Sequence, residues 1–161
     1  MTIENKLPLS DFKQVVKNAP LFAIDLVVVN ESRQLLVGKR INSPAKGYWF
    51  VPGGRVYKNE SLERAVNRIA ESELGCAIDR KQLTFLGLFD HFYHDSFFDG
   101  EVSTHYINAA HLVFLNEKSI NLPTEQHDSY RWIDIDKLDC DCDVHNYSKV
   151  FLPELIKYIQ P

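Results

Sequence analysis

The 161-residue sequence contains no apolar run long enough to cross a membrane. A membrane-spanning helix needs about 18 or more apolar residues, whereas the run LFAIDLVVV has the length of a strand and contains Asp25. The first residues, MTIENKLPLSD, also lack the apolar core of a signal peptide. We therefore expect a cytoplasmic protein.

Paired cysteines and an excess of positive charge are missing as well. Cys76, Cys140 and Cys142 form no CxxC pair, so we expect neither a disulfide framework nor a zinc site. The acidic stretch Asp139 to His145 is expected to form a solvated turn without an assigned function. The net charge of −4 disfavours a nucleic-acid or membrane-surface partner, because such proteins carry clustered positive charge.

Repeats and low-complexity tracts are absent, and what is present is an ordinary globular composition. The chain is 45% hydrophobic, 25% charged and 12% aromatic, which excludes a disordered or fibrous class. Its length suits one domain over residues 1–161 that buries most of its apolar surface.

The order of apolar runs and polar links predicts an α+β fold with a mixed sheet between helices. The loop HFYHDSFFDG, from His91 to Gly100, is rich in aromatics and is expected to cover a cleft or a second subunit. The predicted elements are a helix over Leu9 to Ala19 with Ser10 as its cap, strands over Leu21 to Val29, Gln34 to Lys39, Tyr48 to Val51, Lys81 to Asp90, Ser103 to Leu115 and Tyr130 to Ile133, and a terminal helix over Tyr147 to Ile159 with Pro153 in its first turn or at a kink.

The stretch from Pro52 to Cys76 organises the rest of the chain. It begins with a Pro-Gly-Gly turn and continues as a helix with Ser61 as the N-cap and Gly75 as the stop. Residues at helical spacing form one apolar face, namely Leu62, Ala65, Val66, Ile69 and Ala70. Glu73 continues this face as a carboxylate, so it either has a buried partner or lies where the last turn reaches water.

This stretch resembles the Nudix box, the signature of a family of hydrolases that cut diphosphate-linked substrates. The matching positions are Gly54, Glu60, Arg68, Glu73 and Gly75. Ile69 and Ser72 stand where the box has glutamates. The resemblance therefore lacks most of the carboxylates with which the family gathers metal and activates water at phosphorus.

One branch of the family, the GDP-mannose mannosyl hydrolases, resembles this chain in the same departures from the box. The resemblance covers nearly the whole chain in order, through LLVGKR (35–40), GYWFVPGGRV (47–56), HFYHD (91–95), THY (104–106) and EQHDSYRW (125–132). It implies the Nudix fold, Mg²⁺ or Mn²⁺ as cofactor, a small nucleotide-sugar substrate and a homodimer.

The resemblance also implies a set of metal ligands. Glu73 is the one box acid on the inward face of the helix, and the implied further ligands are the backbone carbonyl of Gly53 and the side-chain oxygen of Gln126. Magnesium often takes few protein ligands and completes its shell with substrate phosphates and water. Glu60 and Glu71 are expected to be surface charges.

Three arginines are candidates to neutralise the diphosphate, because a guanidinium presents a fork of donors that matches phosphate oxygens. They are Arg40, Arg55 and Arg68. For Arg68 a salt bridge to Glu71 on the same side of the helix is an alternative, and it is compatible with a phosphate role. His127 is the candidate general base, since neutral imidazole accepts a proton near physiological pH.

Further residues are candidates for the substrate pocket. By resemblance, His91 and Tyr106 donate to the leaving diphosphate or to a sugar hydroxyl. Asp25 either forms a structural pair or lines a polar site, where it orients His127 or binds the sugar. The guanine is assigned to stacking on Phe12 and a hydrogen bond to Asp11, with Lys39 reaching the base or ribose; Phe12 fits the core face of the first helix equally well.

The sequence thus predicts a magnesium-dependent hydrolase that releases GDP and mannose by water attack at the anomeric carbon with inversion. GDP-glucose is a second candidate substrate. Two alternatives remain open at this point: a conventional Nudix pyrophosphatase that splits between the phosphates, and a non-catalytic nucleotide-binding module.

Overall fold

The computed structural model describes residues 7–98, Gly100, 102–123 and 127–159, without the side chains of His127 and Asp128. Within these ranges the chain forms four α-helices and seven strands. In chain order they are α1 (Leu9–Asn18), β1 (Leu21–Val29), β2 (Gln34–Arg40), β3 (Trp49–Phe50), β4 (Gly53–Arg55), α2 (Leu62–Leu74), β5 (Thr84–Tyr93), β6 (Thr104–Phe114), β7 (His127–Asp134), α3 (Ile135–Leu138) and α4 (Leu152–Ile159). Short 3₁₀ turns lie at Arg80–Gln82, Glu117–Ser119 and Asn146–Ser148.

The strands form one mixed sheet whose main path runs β3-β2-β1-β6-β5. β1 lies parallel to β6, with Leu21 opposite Tyr106 and Val29 opposite Phe114. The other pairs are antiparallel, including β4 beside β1 and β7 beside β2. β1 is buried on both faces, which is why it appears in the sequence as a nearly unbroken apolar run.

Helices cover both faces of the sheet. On one face, alternate β1 residues from Ile24 to Val28 pack against the apolar side of α2. On the other face, Val27 and Val29 belong to a cluster with residues of α3 and α4. The predicted mixed sheet between helices is therefore confirmed. No helix in the described ranges is both long enough and apolar enough to span a membrane.

The central helix α2 begins and ends where the sequence predicts. The Ser61 hydroxyl accepts a hydrogen bond from the Arg64 N–H at 3.3 Å, and Gly75 ends the helix with a left-handed φ of 65°. Glu73 is only 3% exposed, so its carboxylate continues the inward face and does not reach water. Leu62 was predicted on the same face but is exposed, because it lies at the first helical position, outside the core packing.

The Pro-Gly-Gly segment is a strand and not the predicted turn. Gly53 and Gly54 begin β4 and lie opposite Asp25 and Ile24 of β1. A β-carbon on Gly53 would lie 2.7 Å from Asp25 Oδ1, and one on Gly54 would lie 3.0 Å from Ile69 Cγ1. The glycines are needed here for close approach to neighbouring side chains rather than for an unusual φ.

Three other local predictions were wrong, namely the cap of the first helix, the end of β5 and the start of the terminal helix. α1 begins after Pro8 and has no side-chain cap, so Ser10 is not its cap. β5 runs to Tyr93, so the first residues of the supposed aromatic loop belong to a strand that pairs with β6. The terminal helix begins only at Leu152, with Pro153 in its first turn, because the segment before it forms a separate 3₁₀ turn.

Candidate active site

Residues from six strands, β1 to β6, and from α2 converge on a cavity of about 200 Å³. Seven residues that the sequence singled out contribute to its lining, namely Asp25, Arg40, Gly53, Arg55, Glu73, His91 and Tyr106. Phe50, Tyr93 and Asn108 also line it but were not predicted. The fold thus brings together residues that are distant in the sequence, such as Asp25 and Asn108, which are 83 positions apart.

Asp25 and Asn108 form a buried pair in the cavity wall. Asn108 Nδ2 donates a hydrogen bond of 2.7 Å to Asp25 Oδ1. Burial raises the pKa of Asp25 to about 7, although the Asn108 bond and the charge of Arg40 both act to lower it. Asn108 Oδ1 is buried without a hydrogen-bond partner among the described residues. The two possibilities left open for Asp25 are therefore both met, since it is structurally paired and also lines a polar site.

Asn108 was missed although the sequence carried a signal for it. It is a polar residue within a strand that is otherwise largely apolar, the same feature that drew attention to Asp25. The parallel register of β1 and β6 puts Asn108 opposite Ala23, two residues from Asp25 on the same face. That register is not visible in the sequence, because the two strands are separated by more than 70 residues.

Two arginines make part of the cavity positively charged. Arg40 Nε donates to the Pro44 carbonyl at 2.9 Å. The Arg55 guanidinium lies 4.0 Å from the centre of the Phe12 ring and 5.2 Å from that of Tyr57. Burial lowers the pKa of Arg55, yet a guanidinium remains protonated in proteins. An anionic group is the natural complement of this pair.

Arg68 does not line the cavity but supports Arg55 from outside it. Its Nε and Nη2 donate to Glu60 at 2.7 and 2.8 Å, and Nη2 also donates to the Arg55 carbonyl at 2.8 Å. The salt bridge expected with Glu71 is therefore formed with Glu60 instead. Glu60 is not a surface charge, because its side chain has no exposed area. Glu71 is exposed as predicted.

The same contacts set the ionisation of Glu60. Burial alone would raise its pKa, but hydrogen bonds from Arg68 and from the backbone N–H of Tyr57 outweigh burial, and the pKa is lowered from 4.5. Arg68 also packs over the Tyr57 ring at 3.9 Å. Glu60, Arg68 and Tyr57 thus fix the segment between β4 and α2.

Oxygen donors that could hold a divalent metal lie at the junction of β4 and α2. Glu73 lines the cavity. Leu26 N–H donates to the Pro52 carbonyl at 2.8 Å, so the next pair, Asp25 with Gly53, is the non-hydrogen-bonded type and the Gly53 carbonyl is not used by β1. Mg²⁺ is usually bound by a small number of protein oxygen ligands. The Glu73 carboxylate and the Gly53 carbonyl fit this requirement.

Of the other residues implied as metal ligand or general base, the structure describes only the backbone of His127. Gln126 lies outside the described residues. His127 pairs with Arg40 in the ladder of β2 and β7, which brings its backbone next to a cavity residue. Among the described residues, no group of three or more His, Cys, Asp or Glu side chains is placed to hold a metal. The described chain therefore offers a sparse metal site and not a carboxylate cluster.

Burial keeps His91 and Tyr106 in their neutral forms. Burial and, to a smaller extent, the nearby His145 lower the pKa of His91 to about 4, against the opposite effect of Asp90. Burial raises the pKa of Tyr106 above its ordinary value. His91 Nε2 is buried without a hydrogen-bond partner in the described ranges. Both side chains can donate hydrogen bonds, but His91 is not charged at neutral pH.

The residues assigned to guanine do not line the cavity. Phe12 packs against Phe98, with the ring centres 5.4 Å apart, and against the Arg55 guanidinium. Asp11 is exposed on α1, and Lys39 lies on β2 opposite Trp49. Phe12 is therefore adjacent to the cavity only through Arg55.

Comparison with known families assigns the chain to a class. The model of the Nudix domain matches residues 20–155. The chain belongs to the Nudix family, and this membership supports a hydrolase acting on nucleoside diphosphate derivatives. Nudix hydrolases generally use divalent metal ions such as Mg²⁺.

Individual relatives agree with this assignment. The chain is 42% identical over 120 residues to the low-salt glycan biosynthesis protein Agl8 of Haloferax volcanii, covering 74% of this chain and 75% of that protein. Its fold matches the MutT Nudix hydrolase of Burkholderia pseudomallei with a TM-score of 0.70 at 26% identity, over 86% of this chain and 99% of the other. The Nudix domain of Shewanella oneidensis NrtR, solved with ADP ribose, matches with a TM-score of 0.66 at 13% identity over 96% and 100%, and shows the shared fold.

Proposed function

We propose that the protein hydrolyses GDP-mannose to GDP and mannose, with GDP-glucose as a second candidate substrate. Water attacks the anomeric carbon of the sugar and inverts its configuration. The observation that carries this proposal is that α2 supplies a single carboxylate, Glu73, to a cavity that also contains Arg40 and Arg55. The positive charge of such a cavity suits a diphosphate that departs. The cavity has few acids that could gather metal ions around a phosphorus under attack.

The two box positions that lack glutamate support this choice of bond. Ile69 is buried against Gly54, so a carboxylate there would enter the core. Ser72 is exposed and its hydroxyl donates to the Ile69 carbonyl at 3.1 Å. Neither side chain supplies a metal ligand to the cavity. This arrangement disfavours the alternative of a conventional pyrophosphatase.

The proposed site residues have four roles. Arg40 and Arg55 bind the diphosphate and neutralise the charge that develops as it leaves. Glu73, the Gly53 carbonyl and Gln126 would hold Mg²⁺, with Mn²⁺ able to take its place, and the ion supplies further charge neutralisation at the diphosphate.

Neutral donors and the water-activating groups complete the site. His91 and Tyr106, uncharged at neutral pH, donate hydrogen bonds to the leaving group or to sugar hydroxyls. His127 acts as the general base that takes a proton from water. Asp25, fixed by Asn108, orients His127 or binds the sugar.

The glycan-related relative is consistent with a sugar substrate. Agl8 is named for glycan biosynthesis, a process that handles sugars. The guanine site is proposed near Phe12, Asp11 and Lys39, where Arg55 connects Phe12 to the cavity. We place the whole activity in one domain over residues 1–161, in the cytoplasm.

A homodimer is also part of the proposal. Phe22, Phe85, Leu88 and Phe92 lie opposite alternate residues of β6 and project from one face of the sheet, beyond the part that α2 covers. We call these four residues the outer face, and all four are exposed. Arg80 lies beside its Phe85 end, and Asp90 lies on the same side of β5 near Phe92. A two-fold rotation brings the basic end against the acidic end, so the face is complementary to itself.

The direct test is to incubate the protein with GDP-mannose and Mg²⁺ and to identify the products. GDP and mannose are expected. GMP and mannose 1-phosphate would instead establish a pyrophosphatase, and nucleotide binding without any product would establish a non-catalytic module.

A further inference from the structure

The imidazole of His91 stacks on the aromatic side chain of Tyr147. The rings of His91 and Tyr147 are stacked, with centres 4.2 Å apart and planes 4° from parallel. His91 contributes to the lining of the cavity, whereas Tyr147 does not. Tyr147 therefore contacts the face of the imidazole that lies away from the proposed substrate.

The same tyrosine also fixes the backbone next to His91. Its hydroxyl accepts a hydrogen bond from the Phe92 N–H at 2.8 Å and donates one to the Phe92 carbonyl at 2.9 Å. Both the N–H and the C=O of Phe92 are thereby bound by a side chain that is 55 residues distant in the sequence. Ring and main chain at His91 are thus restrained together, which limits both rotation of the imidazole and movement of the strand.

Tyr147 and its neighbours are also bonded to the segment from Trp49 to Val51. Its N–H donates to His145 Nδ1 at 3.2 Å, and the His145 N–H donates to the Trp49 carbonyl at 3.0 Å. At the next residue in the sequence, the Ser148 hydroxyl accepts a hydrogen bond from the Val51 N–H at 3.0 Å. Since Val51 lines the cavity with His91, residues 145–148 connect two of its walls.

We propose that Tyr147 is a positioning residue for His91. It holds the neutral imidazole at the orientation and depth from which it donates a hydrogen bond to the substrate, and it ties that position to the wall formed by Val51. This inference rests on the proposed function for its kinetic consequence. Its structural content, the restraint of the His91 ring, holds without any substrate.

Two substitutions separate the contributions of Tyr147. Tyr147→Phe keeps the stacked ring and removes both bonds to Phe92, whereas Tyr147→Leu removes the stack as well. Displacement of a catalytic group by about 1 Å costs on the order of 10²-fold in rate. We expect kcat to fall on the order of tenfold in Tyr147→Phe and 10²-fold in Tyr147→Leu, with a smaller change in KM, because the substrate still binds while the donor is misplaced.

The matched control is Tyr158→Phe, which removes a hydroxyl from an exposed tyrosine of α4 and is expected to keep the wild-type kcat. A double-mutant cycle then separates positioning from general destabilisation. In a His91→Gln background, Tyr147→Phe should lower kcat no further, since the residue it positions is gone. Equal effects of Tyr147→Phe with and without His91 would overturn the proposal.

A second measurement needs no substrate. The pKa of His91 is followed through its imidazole NMR signals in the wild type and in Tyr147→Leu. The charged groups that act on it are His145, which lowers the pKa, and Asp90, which raises it; Phe50, Tyr93 and Tyr147 pack around it as uncharged rings. We expect the pKa to rise from about 4 towards 6.5 in Tyr147→Leu, as the ring gains access to water.

The kinetic measurement and the NMR measurement can be interpreted separately. If the wild type does not cleave GDP-mannose, the proposed function is wrong, and the NMR comparison still decides whether Tyr147 restrains His91. An unchanged His91 pKa and unchanged signals in a folded Tyr147→Leu variant would overturn the positioning role, whatever the substrate is.

Discussion

Individual polar side chains in the interior carry most of the functional information in this protein. Burying a polar group is costly unless it is hydrogen-bonded or serves a ligand. Asp25, Glu73, His91 and Asn108 are all buried and all line the same cavity. The side chain of Glu60 also has no exposed area, but it is bound by Arg68. Burial at the wall of the cavity, rather than residue type alone, distinguishes these four residues from a structural residue such as Glu60.

The first residue-scale prediction concerns Glu73. Glu73→Gln should lower metal-dependent activity by orders of magnitude while the protein stays folded, because the substitution removes one charge from the main protein ligand. Glu71→Gln is the control, since Glu71 lies on the exposed side of the same helix. Activity against Mg²⁺ concentration measures both effects. Equal Mg²⁺ dependence of the two variants would remove Glu73 from the metal site.

The second residue-scale prediction concerns Glu60 and how its contribution to stability depends on pH. The folded-state pKa of Glu60 lies below its ordinary value of 4.5, so the unfolded chain binds the proton more readily. The stabilisation is therefore complete above the ordinary pKa and is lost as the pH falls through the folded-state pKa. Glu60→Gln should lower the free energy of unfolding at neutral pH by about 2 kcal/mol, the size of a hydrogen bond to a charged group.

Urea unfolding of wild type and Glu60→Gln at neutral and at acidic pH tests this. The difference between them should shrink as the pH falls below 4.5, while Glu71→Gln should differ little from wild type at neutral pH. A difference that stays constant down to about pH 3 would show that the ionisation of Glu60 does not stabilise the fold.

At the scale of elements, α2 and β4 determine what the site can contain. The caps and the apolar period of α2 were predictable because they depend on residues close together in the sequence. The strand character of β4 was not, because Gly53 and Gly54 owe their place to β1 and to Ile69. The end of β5 was misplaced for a similar reason, since pairing with β6 continues through His91, Phe92 and Tyr93, which the sequence assigned to an aromatic loop.

The element-scale prediction restores the missing acids of the box one at a time. Ile69→Glu should destabilise the protein by about 3 kcal/mol or more, because it buries a carboxylate in the core. Ser72→Glu is the matched variant on the exposed side of the same helix turn and should fold normally. Neither should release GMP from GDP-mannose. A stable Ile69→Glu variant with that activity would contradict the proposed roles of α2.

At the scale of the whole molecule, the sequence predicted the layers of the fold and half of the residues that line the cavity. The apolar periods indicated a sheet between helices, and the resemblance together with the chemistry of individual residues led to seven of the lining residues. Arg68 was assigned to the diphosphate because the sequence does not show that Glu60 lies within its reach. Contacts such as Asp25 with Asn108 and His91 with Tyr147 depend on strand register and on long-range packing.

The whole-molecule prediction concerns the outer face. Phe85→Asp should convert the proposed dimer, with twice the 18.6 kDa of one chain, into a monomer in light scattering. Phe114→Asp is the control, because the two phenylalanines are 54% and 55% exposed but Phe114 lies on the opposite face. Reversing the charge at Arg80 alone or at Asp90 alone should weaken the dimer, whereas reversing both charges in the same chain should restore it. Dimers unaffected by Phe85→Asp would place the interface elsewhere.

The central claim is that water attacks the sugar and not a phosphate. Hydrolysis of GDP-mannose in ¹⁸O-water with Mg²⁺, followed by mass spectrometry of the products and proton NMR during turnover, tests it most directly. The account predicts the label in mannose, unlabelled GDP, and β-mannose as the first anomer formed from the α-linked substrate. Label in a phosphate group, with GMP and mannose 1-phosphate as products, would contradict it.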